Sequence, residues 1–539
     1  MYGSITLENR FGVNKMELIS LKYAIFVIVL LVPYYCFPKK YRWYVLLAGS
    51  MAYYVIICKW YVLFIIFTIC TTYGSTIWID KLLKEQNAIV KSHKEDWDRQ
   101  TRKEYKEKGR KKRVAVMLFA LLCNFGILAF LKYIPYAGEL GLLLPLGISF
   151  YTFQSMGYVM DVYREIVEPE KNFFKVALFV SFFPQIIQGP IAIYDKLAGQ
   201  LYEGHSLRLE NLQKGALLVL WGVMKKLVIA DRAVNIINFV MDKPMDFSGT
   251  YVFFAAVVYA LQLYADFSGG IDIVRGIAEM FGITMSTNFN HPYFSRSLTE
   301  YWHRWHMTLG DWCRNYIFYP LSISKRFLNF GKWLKPRFGA HISKVLPGCI
   351  ASVITFIVIG VWHGANMKYL YFGLWNGIVI MLAELFAPVN KKVAGGFFKL
   401  TSLREKGIFA TIVSVLWTFM LILVGYYFDI AANASTAFHM LFKSVTDFHI
   451  SELGINNIIL NLGACGLDEY DILLLIICTL LWFFISFVEE NKKLDMRDFI
   501  LSRKLPLRWA IIYLGIFIVI IFGYYGPGVN PADFVYMQF

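Results

Sequence analysis

Long apolar runs recur from one end of this chain to the other, and that feature narrows what it can fold into more than any other. A helix of roughly 17–25 residues crosses the approximately 30 Å hydrocarbon core of a bilayer. At that depth no water is available to the backbone, so every N–H and C=O must bond within the protein. Runs of this length meet the demand as α-helices, and the expected class is all-α and polytopic. The candidate spans are 18–37, 43–58, 61–79, 113–133, 141–161, 172–192, 212–230, 250–268, 347–363, 366–387, 408–429, 471–489 and 508–525. Several are short or poorly bounded, which leaves eleven to thirteen crossings, with re-entrant or interfacial helices around a central cavity. Composition agrees. Hydrophobic residues make up 57% and charged residues 17%, where a soluble domain carries about 25% charged. Mean hydropathy is +0.50.

The formal charge of +16 raises nucleic acid as a partner, but the basic residues sit mainly in short loops between apolar runs. Such loops mark the cytoplasmic side and face anionic lipid headgroups, so the implied partners are membrane lipids and not nucleic acid. The densest stretch, 80–113, holds thirteen Lys and Arg against seven Asp and Glu. It reads as a cytoplasmic, solvated, partly helical loop, with docking of an anionic acyl donor as the alternative. Lys39, Lys40 and Arg42 place the first loop on the same side and the amino terminus outside. The first apolar run ends in FPKK, without the small-residue site of a cleaved signal, and reads as a retained span. The eight cysteines lie mostly in apolar runs with no CxxC or metal-ligand spacing, as small buried hydrophobes do. With no fixed-period repeat and no low-complexity linker, residues 1–539 parse as one membrane domain, with C-terminal helices over 408–539.

The pattern breaks carry the chemistry. Residues 262–320 contain QLYADFSGGIDIVRG, NFNHPYF and YWHRWHMTLGDWCRNYIFYP, too polar for lipid yet too aromatic for an ordinary surface loop. Polar backbone at membrane depth survives only where protein or a water-filled cavity meets it. His303 and His306 stand three apart, which on a helix puts them on one face. Trp302, Trp305 and Trp312 surround them, and Arg304, Asp311 and Arg314 add charge. An interfacial helix explains the same residues, since Trp and Tyr favour headgroup depth. No third ligand stands at zinc-like spacing and HExxH is absent, so no metal is expected.

In GVWHGANMK, His363 sits where an ionisable side chain costs a few kcal/mol, a mark of function by default. Burial favours its neutral form, the form that accepts a proton. Gly360 and Gly364 would allow backbone or substrate to come close. A histidine bonded in a helix interface is the plainer alternative. In FFPQIIQGP, Pro184 and Gly189 imply a kink or half-helix with Gln185 and Gln188 on one face. In ADFSGGID, Asp266, Ser268 and Asp272 interrupt an apolar run. With no histidine in the segment to activate a nucleophile, capping of a helix start is the expected role.

These motifs come in a recognisable order. FFPQIIQGPI, YADFSGGIDIVRG, NFNHPYF, YWHRWHMTLGDWCRNYIFYPL and VWHGANMKYLYFGLWNG together resemble the membrane-bound O-acyltransferase family. The nearest branch is that of the bacterial alginate O-acetylation membrane proteins, and the terminal DFVYMQF is similar to its aromatic tail. The resemblance covers about residues 20–390 well and places the catalytic core at 18–390. It implies that the family's membrane histidine is His363 and its second histidine, in the RWH motif, is His306. It implies an acetyl or other short acyl group moving to hydroxyls of an extracytoplasmic polysaccharide. The donor is a cytoplasmic thioester, acetyl-CoA or carrier-linked, acting as co-substrate with no bound cofactor. Transfer is direct or relayed by an extracytoplasmic partner acetyltransferase, in the inner or cytoplasmic membrane of a bacterium. Around the histidines, the expected substrate or donor channel draws on Gln185, Gln188, Asp266, Ser268, Arg304, Trp305, Asp311, Arg314, Trp362 and Asn366. Two readings from other classes fit the pattern breaks as well: a transporter or flippase for a polysaccharide precursor, and a non-catalytic scaffold.

Overall fold

A computed structural model describes residues 16, 18–134, 138, 142, 144–393, 407–454, 457, 463–526 and 534. The tail motif DFVYMQF, apart from Phe534, lies outside the described residues. The structure is helical throughout, with no strand among the described residues. The chain forms two compact units, residues 1–219 with 273–286, and residues 220–272 with 287–539.

In the first unit, α1 (Leu21–Cys36) starts at Ser20, whose hydroxyl accepts the Tyr23 N–H at 3.1 Å. Helices α2 (Arg42–Cys58) and α3 (Val62–Ser92) are separated at Lys59, which has φ 50° and ψ −126°. Helix α4 (Arg99–Tyr133) is capped by Asp98, whose carboxylate accepts the Thr101 N–H at 2.9 Å. Those hydrogen bonds from Thr101 hold the Asp98 carboxyl below the usual range. The basic stretch 80–113 is therefore a helical hairpin, in which α3 and α4 run on past their apolar parts. Arg113 ties the two together through a 3.0 Å bond to Gln86, both buried. Helix α5 (Ile148–Tyr163) is buried over nearly its whole length. Helices α6 (Phe173–Ser181) and α7 (Phe183–Gln188) break at Phe182, giving the half-helix that Pro184 implied, and α8 (Tyr194–Glu203) follows.

Helix α9 (Leu209–Met224) passes through a π-helical turn, Lys225–Ala230, into α10 (Asp231–Met241). Helix α11 (Gly249–Met280) runs uninterrupted. The second unit continues with α12 (Leu298–Arg304), α13 (Met307–Cys313), a second π-helical turn Arg314–Phe318 and α14 (Tyr319–Ser322). Then come α15 (Lys325–His363), α16 (Met367–Leu385), α17 (Ile408–Ile430), α18 (Ala434–Thr446), α19 (Glu469–Lys492), α20 (Met496–Leu501) and α21 (Leu505–Phe522).

Every expected span falls at least partly on helix, and the all-α polytopic reading holds. Among the described residues, seven helical stretches are long and apolar enough to cross a bilayer, or eight if α16 and the short helix after it, bent by 67°, count as one span. The distance from eleven to thirteen has physical causes. The stretch Lys39–Ser92 contains both α2 and α3, α1 has only 16 residues, and 172–192 is broken. The 212–230 segment carries two buried lysines. At the other extreme, no residue of α21 is buried.

Candidate active site

The site is built in the second unit from three local features. The first is the broken helix at 298–313. Ser297 caps α12 by accepting the Glu300 N–H at 3.1 Å, and the helix ends at Arg304. Trp305 is extended, and His306 adopts the left-handed conformation, φ 44° and ψ 52°, before α13 begins. A non-glycine residue there costs of order 1–3 kcal/mol and persists only when its surroundings hold it. Asn288 does the holding. Its carbonyl accepts the Met307 N–H at 2.9 Å, and its side-chain oxygen accepts the Thr308 N–H at 3.1 Å and hydroxyl at 2.6 Å. The expected shared helical face of His303 and His306 does not exist, because the chain turns between them. His306 is buried, with its ring edge-on to Phe267 at 4.9 Å, while His303 is exposed.

The second feature is the α15–α16 hairpin. At Gly360 a Cβ would run into the Tyr369 carbonyl, and at Gly373 into the Phe356 carbonyl. Both glycines allow two helix backbones to touch, so Gly360 serves helix packing and not substrate approach. A Cβ on Gly364 would meet the Tyr369 ring, which stacks on the His363 imidazole at 5.9 Å and 21°. His363 is the last residue of α15. The turn after it is pinned: Asn366 caps α16 by accepting the Lys368 N–H at 3.1 Å and donates to the Ala432 carbonyl at 3.3 Å.

The third feature is α17, whose end supplies Tyr426 and Asp429. Tyr426 shares hydroxyl contacts with Tyr301 at 2.7 Å and Tyr293 at 3.2 Å. Asp429 accepts the Tyr259 hydroxyl at 2.7 Å.

Together these elements line a pocket onto which His306, His363, Asn376 and Asp429 all border. Its walls are mostly aromatic: Tyr301, Trp302, Trp305, Phe372 and Tyr426. The Trp362 ring contacts both histidines, 6.3 Å from His306 and 4.9 Å from His363. Trp302 donates to the Asn376 side-chain oxygen at 3.0 Å, which fixes that amide against the wall. A few polar groups converging in an apolar pocket is the usual make-up of a small-molecule site. Among the described residues no three His, Cys, Asp or Glu side chains gather where they could hold a metal ion.

The other expected site residues are placed as follows. Trp305 walls the pocket, and Trp362 contacts both of its histidines. Arg304 turns to Glu300 at 2.7 Å and Glu490 at 3.1 Å. Asp311 and Arg314 pair with one another at 2.7 Å on a half-exposed surface. Gln185 and Gln188 belong to the first unit. There Gln185 donates to Gln154 and, at 2.9 Å, to the Pro190 carbonyl, and Gln188 is fully buried. Asp266 and Ser268 cap nothing, because α11 does not break. They sit mid-helix facing two lysines: Lys226 meets Asp266 at 2.6 Å and Asp231 at 2.8 Å, and Lys225 meets Ser268 at 2.9 Å and Asp272 at 2.6 Å. The π-helical turn lets two adjacent lysines face α11 together. Sequence reading missed this network. The signal was there in WGVMKKLVIADR, a pair of lysines inside an apolar run.

With the geometry in view, the likeness to known proteins has a place to land. Residues 169–335 match the membrane-bound O-acyltransferase family. The chain is 29% identical to the peptidoglycan O-acetyltransferase of Helicobacter pylori, over 51% of this chain and 56% of that protein. It is 30% identical to a probable alginate O-acetylase of Pseudomonas syringae, over 58% and 54% respectively. A teichoic acid D-alanyltransferase of Bacillus subtilis is 27% identical over 52% of this chain and 67% of its own length. The chain thus spans little more than half the length of the two O-acetylases it matches. His306 lies inside the family match and His363 beyond it. Over residues 169–335 the chain matches the membrane-bound O-acyltransferase family model, and over about half its length it is similar to bacterial O-acetylases.

Proposed function

We propose that the protein is an O-acyltransferase of a bacterial cytoplasmic membrane. It moves an acetyl or other short acyl group from a cytoplasmic thioester, acetyl-CoA or a carrier-linked acyl group, to hydroxyls of an extracytoplasmic polysaccharide. Transfer occurs directly or through an extracytoplasmic partner that relays the group. The observation that carries the reading is that one aromatic-walled pocket is lined by both His306 and His363. Relatives named for O-acetylation of alginate and peptidoglycan support it.

The chemistry follows from the side chains. A sugar hydroxyl attacks a thioester carbonyl well only if its proton leaves as the bond forms. A base titrating near neutrality contributes about 10²–10⁴-fold to such a step. Neutral His363, at the end of α15 and steadied by the Tyr369 ring, is that base. The hydroxyl proton passes to the His363 imidazole, the new C–O bond forms, the C–S bond breaks, and the proton returns to the departing thiolate. His306, fixed by the Asn288 turn and in contact with Trp362, orients the acceptor or the donor carbonyl. The aromatic walls exclude the water that would otherwise hydrolyse the thioester.

The test is acyl transfer in sealed inside-out vesicles given radiolabelled acetyl-CoA. Wild type should pass label to envelope polymer or to a partner protein, and His363→Ala should lose at least about a hundredfold. Equal transfer by His363→Ala at equal abundance would refute the base assignment.

A further inference from the structure

Asp429 is the only acidic side chain among the described residues lining the cavity. Three contacts fix where it stands. The Tyr259 hydroxyl from α11 donates to its carboxylate at 2.7 Å. The Lys368 ammonium donates at 2.7 Å to the backbone carbonyls of both Asp429 and Ala431. Asn366 bonds the Ala432 carbonyl at 3.3 Å. The turn that follows His363 is thus tied at two residues to the segment that carries Asp429, and both side chains border the same pocket. Resting on the acyl-transfer reading above, we propose that Asp429 is a positioning residue for His363, its carboxylate balancing the imidazolium that forms when His363 takes the acceptor's proton.

Charge created inside an apolar cavity is costly unless an opposite charge is already in place, since nothing there reorganises to solvate it. The groups that face the pair from each packed element are few. Tyr259 comes from α11 and Tyr301 from α12, while His306 comes from the turn before α13. Lys368 and Tyr369 come from α16, and Tyr426 from α17. On α18, Lys443 is engaged with the Met245 carbonyl at 2.7 Å and with Asp447. Beside the histidines the set holds two cations: Lys443, which is engaged with Asp447, and Lys368, which opposes protonation of His363, so Asp429 supplies the favourable charge.

The sign follows directly. An opposite charge nearby favours the charged form, so Asp429 raises the pH at which His363 gains its proton, and removing the carboxylate lowers it. The measurement is carbethoxylation of His363 by diethyl pyrocarbonate, which attacks the neutral imidazole. It is followed by mass spectrometry across pH in the full-length protein held in nanodiscs. The midpoint in Asp429→Asn should fall by about one pH unit, Asp429→Ser should fall likewise, and Asp429→Glu should stay near wild type. An unchanged midpoint in either neutral variant, with the particle still monodisperse, overturns the proposal. Because this readout needs no turnover, it separates two failures. A lowered midpoint in a protein that transfers no acyl group upholds the Asp429–His363 coupling and refutes the reaction. A lowered midpoint with loss of transfer in Asp429→Asn supports both.

Discussion

At the scale of single residues, the account turns on how His306 is held. Its left-handed backbone is stabilised by Asn288, which gives two acceptors to residues 307 and 308. Asn288→Ala removes the side-chain half of that clamp and leaves the Thr308 N–H and hydroxyl without their acceptor. Lost buried bonds of this kind cost about 1–3 kcal/mol. The variant should therefore fold with a lowered melting temperature and transfer acyl groups poorly, and thermal unfolding beside a transfer assay checks both. The two cavity histidines were legible in the sequence because each is ionisable in an apolar setting, where few structural roles exist. Asp429 was not. It lies at the end of an apolar run, where an aspartate reads as the boundary of a span, and only the fold brings it to the pocket that His363 also lines. Gly360 and Gly364 were expected to let backbone or substrate come close and Asn366 to line the channel; in the structure Asn366 caps α16, Gly360 packs against the α16 backbone and Gly364 lies against the Tyr369 ring.

At the scale of elements, the charged network between the π-helical turn and α11 is the feature periodicity hides. A hydropathy window averages Lys225 and Lys226 into an ordinary span, and a window over α11 reads Asp266 and Ser268 as a break. Each pattern is explained only by the other helix. Breaking a buried pair by removing one partner leaves an uncompensated charge and costs about 3–5 kcal/mol. Lys226→Met should accordingly destabilise the protein by that amount, since Asp231 and Asp266 are both buried against it. Loss of a monodisperse peak in mild detergent, or a large fall in melting temperature, would show it. A variant as stable as wild type would mean that Asp231 and Asp266 are neutral in the folded protein. The turn between His303 and His306 shows the same limit. Three-residue spacing argues for one face only inside a continuous helix, and Trp305 ends it.

At the scale of the whole molecule, sequence reading recovered the helical class and the segments that form helices, because hydrocarbon leaves the backbone little choice. It could not separate spanning helices from short buried ones, since a helix packed in protein is as apolar as one packed in lipid. Orientation rests on the basic loops. The α3–α4 hairpin, with thirteen basic residues over 80–113, is the strongest topogenic signal. A cysteine placed at Lys103 should react with a membrane-impermeant maleimide in inside-out vesicles and not in intact cells; labelling from outside would invert the topology. That orientation bears on the proposed reaction, in which a cytoplasmic thioester and an outer polymer would both reach the pocket that holds His306 and His363. The most direct test of the whole account is the acetyl content of envelope polysaccharide in cells whose only copy carries His363→Ala, with membrane abundance measured alongside. Loss of acetylation at normal abundance is the predicted result. Normal acetylation at normal abundance would contradict it, and would leave the cavity without the chemistry assigned to it.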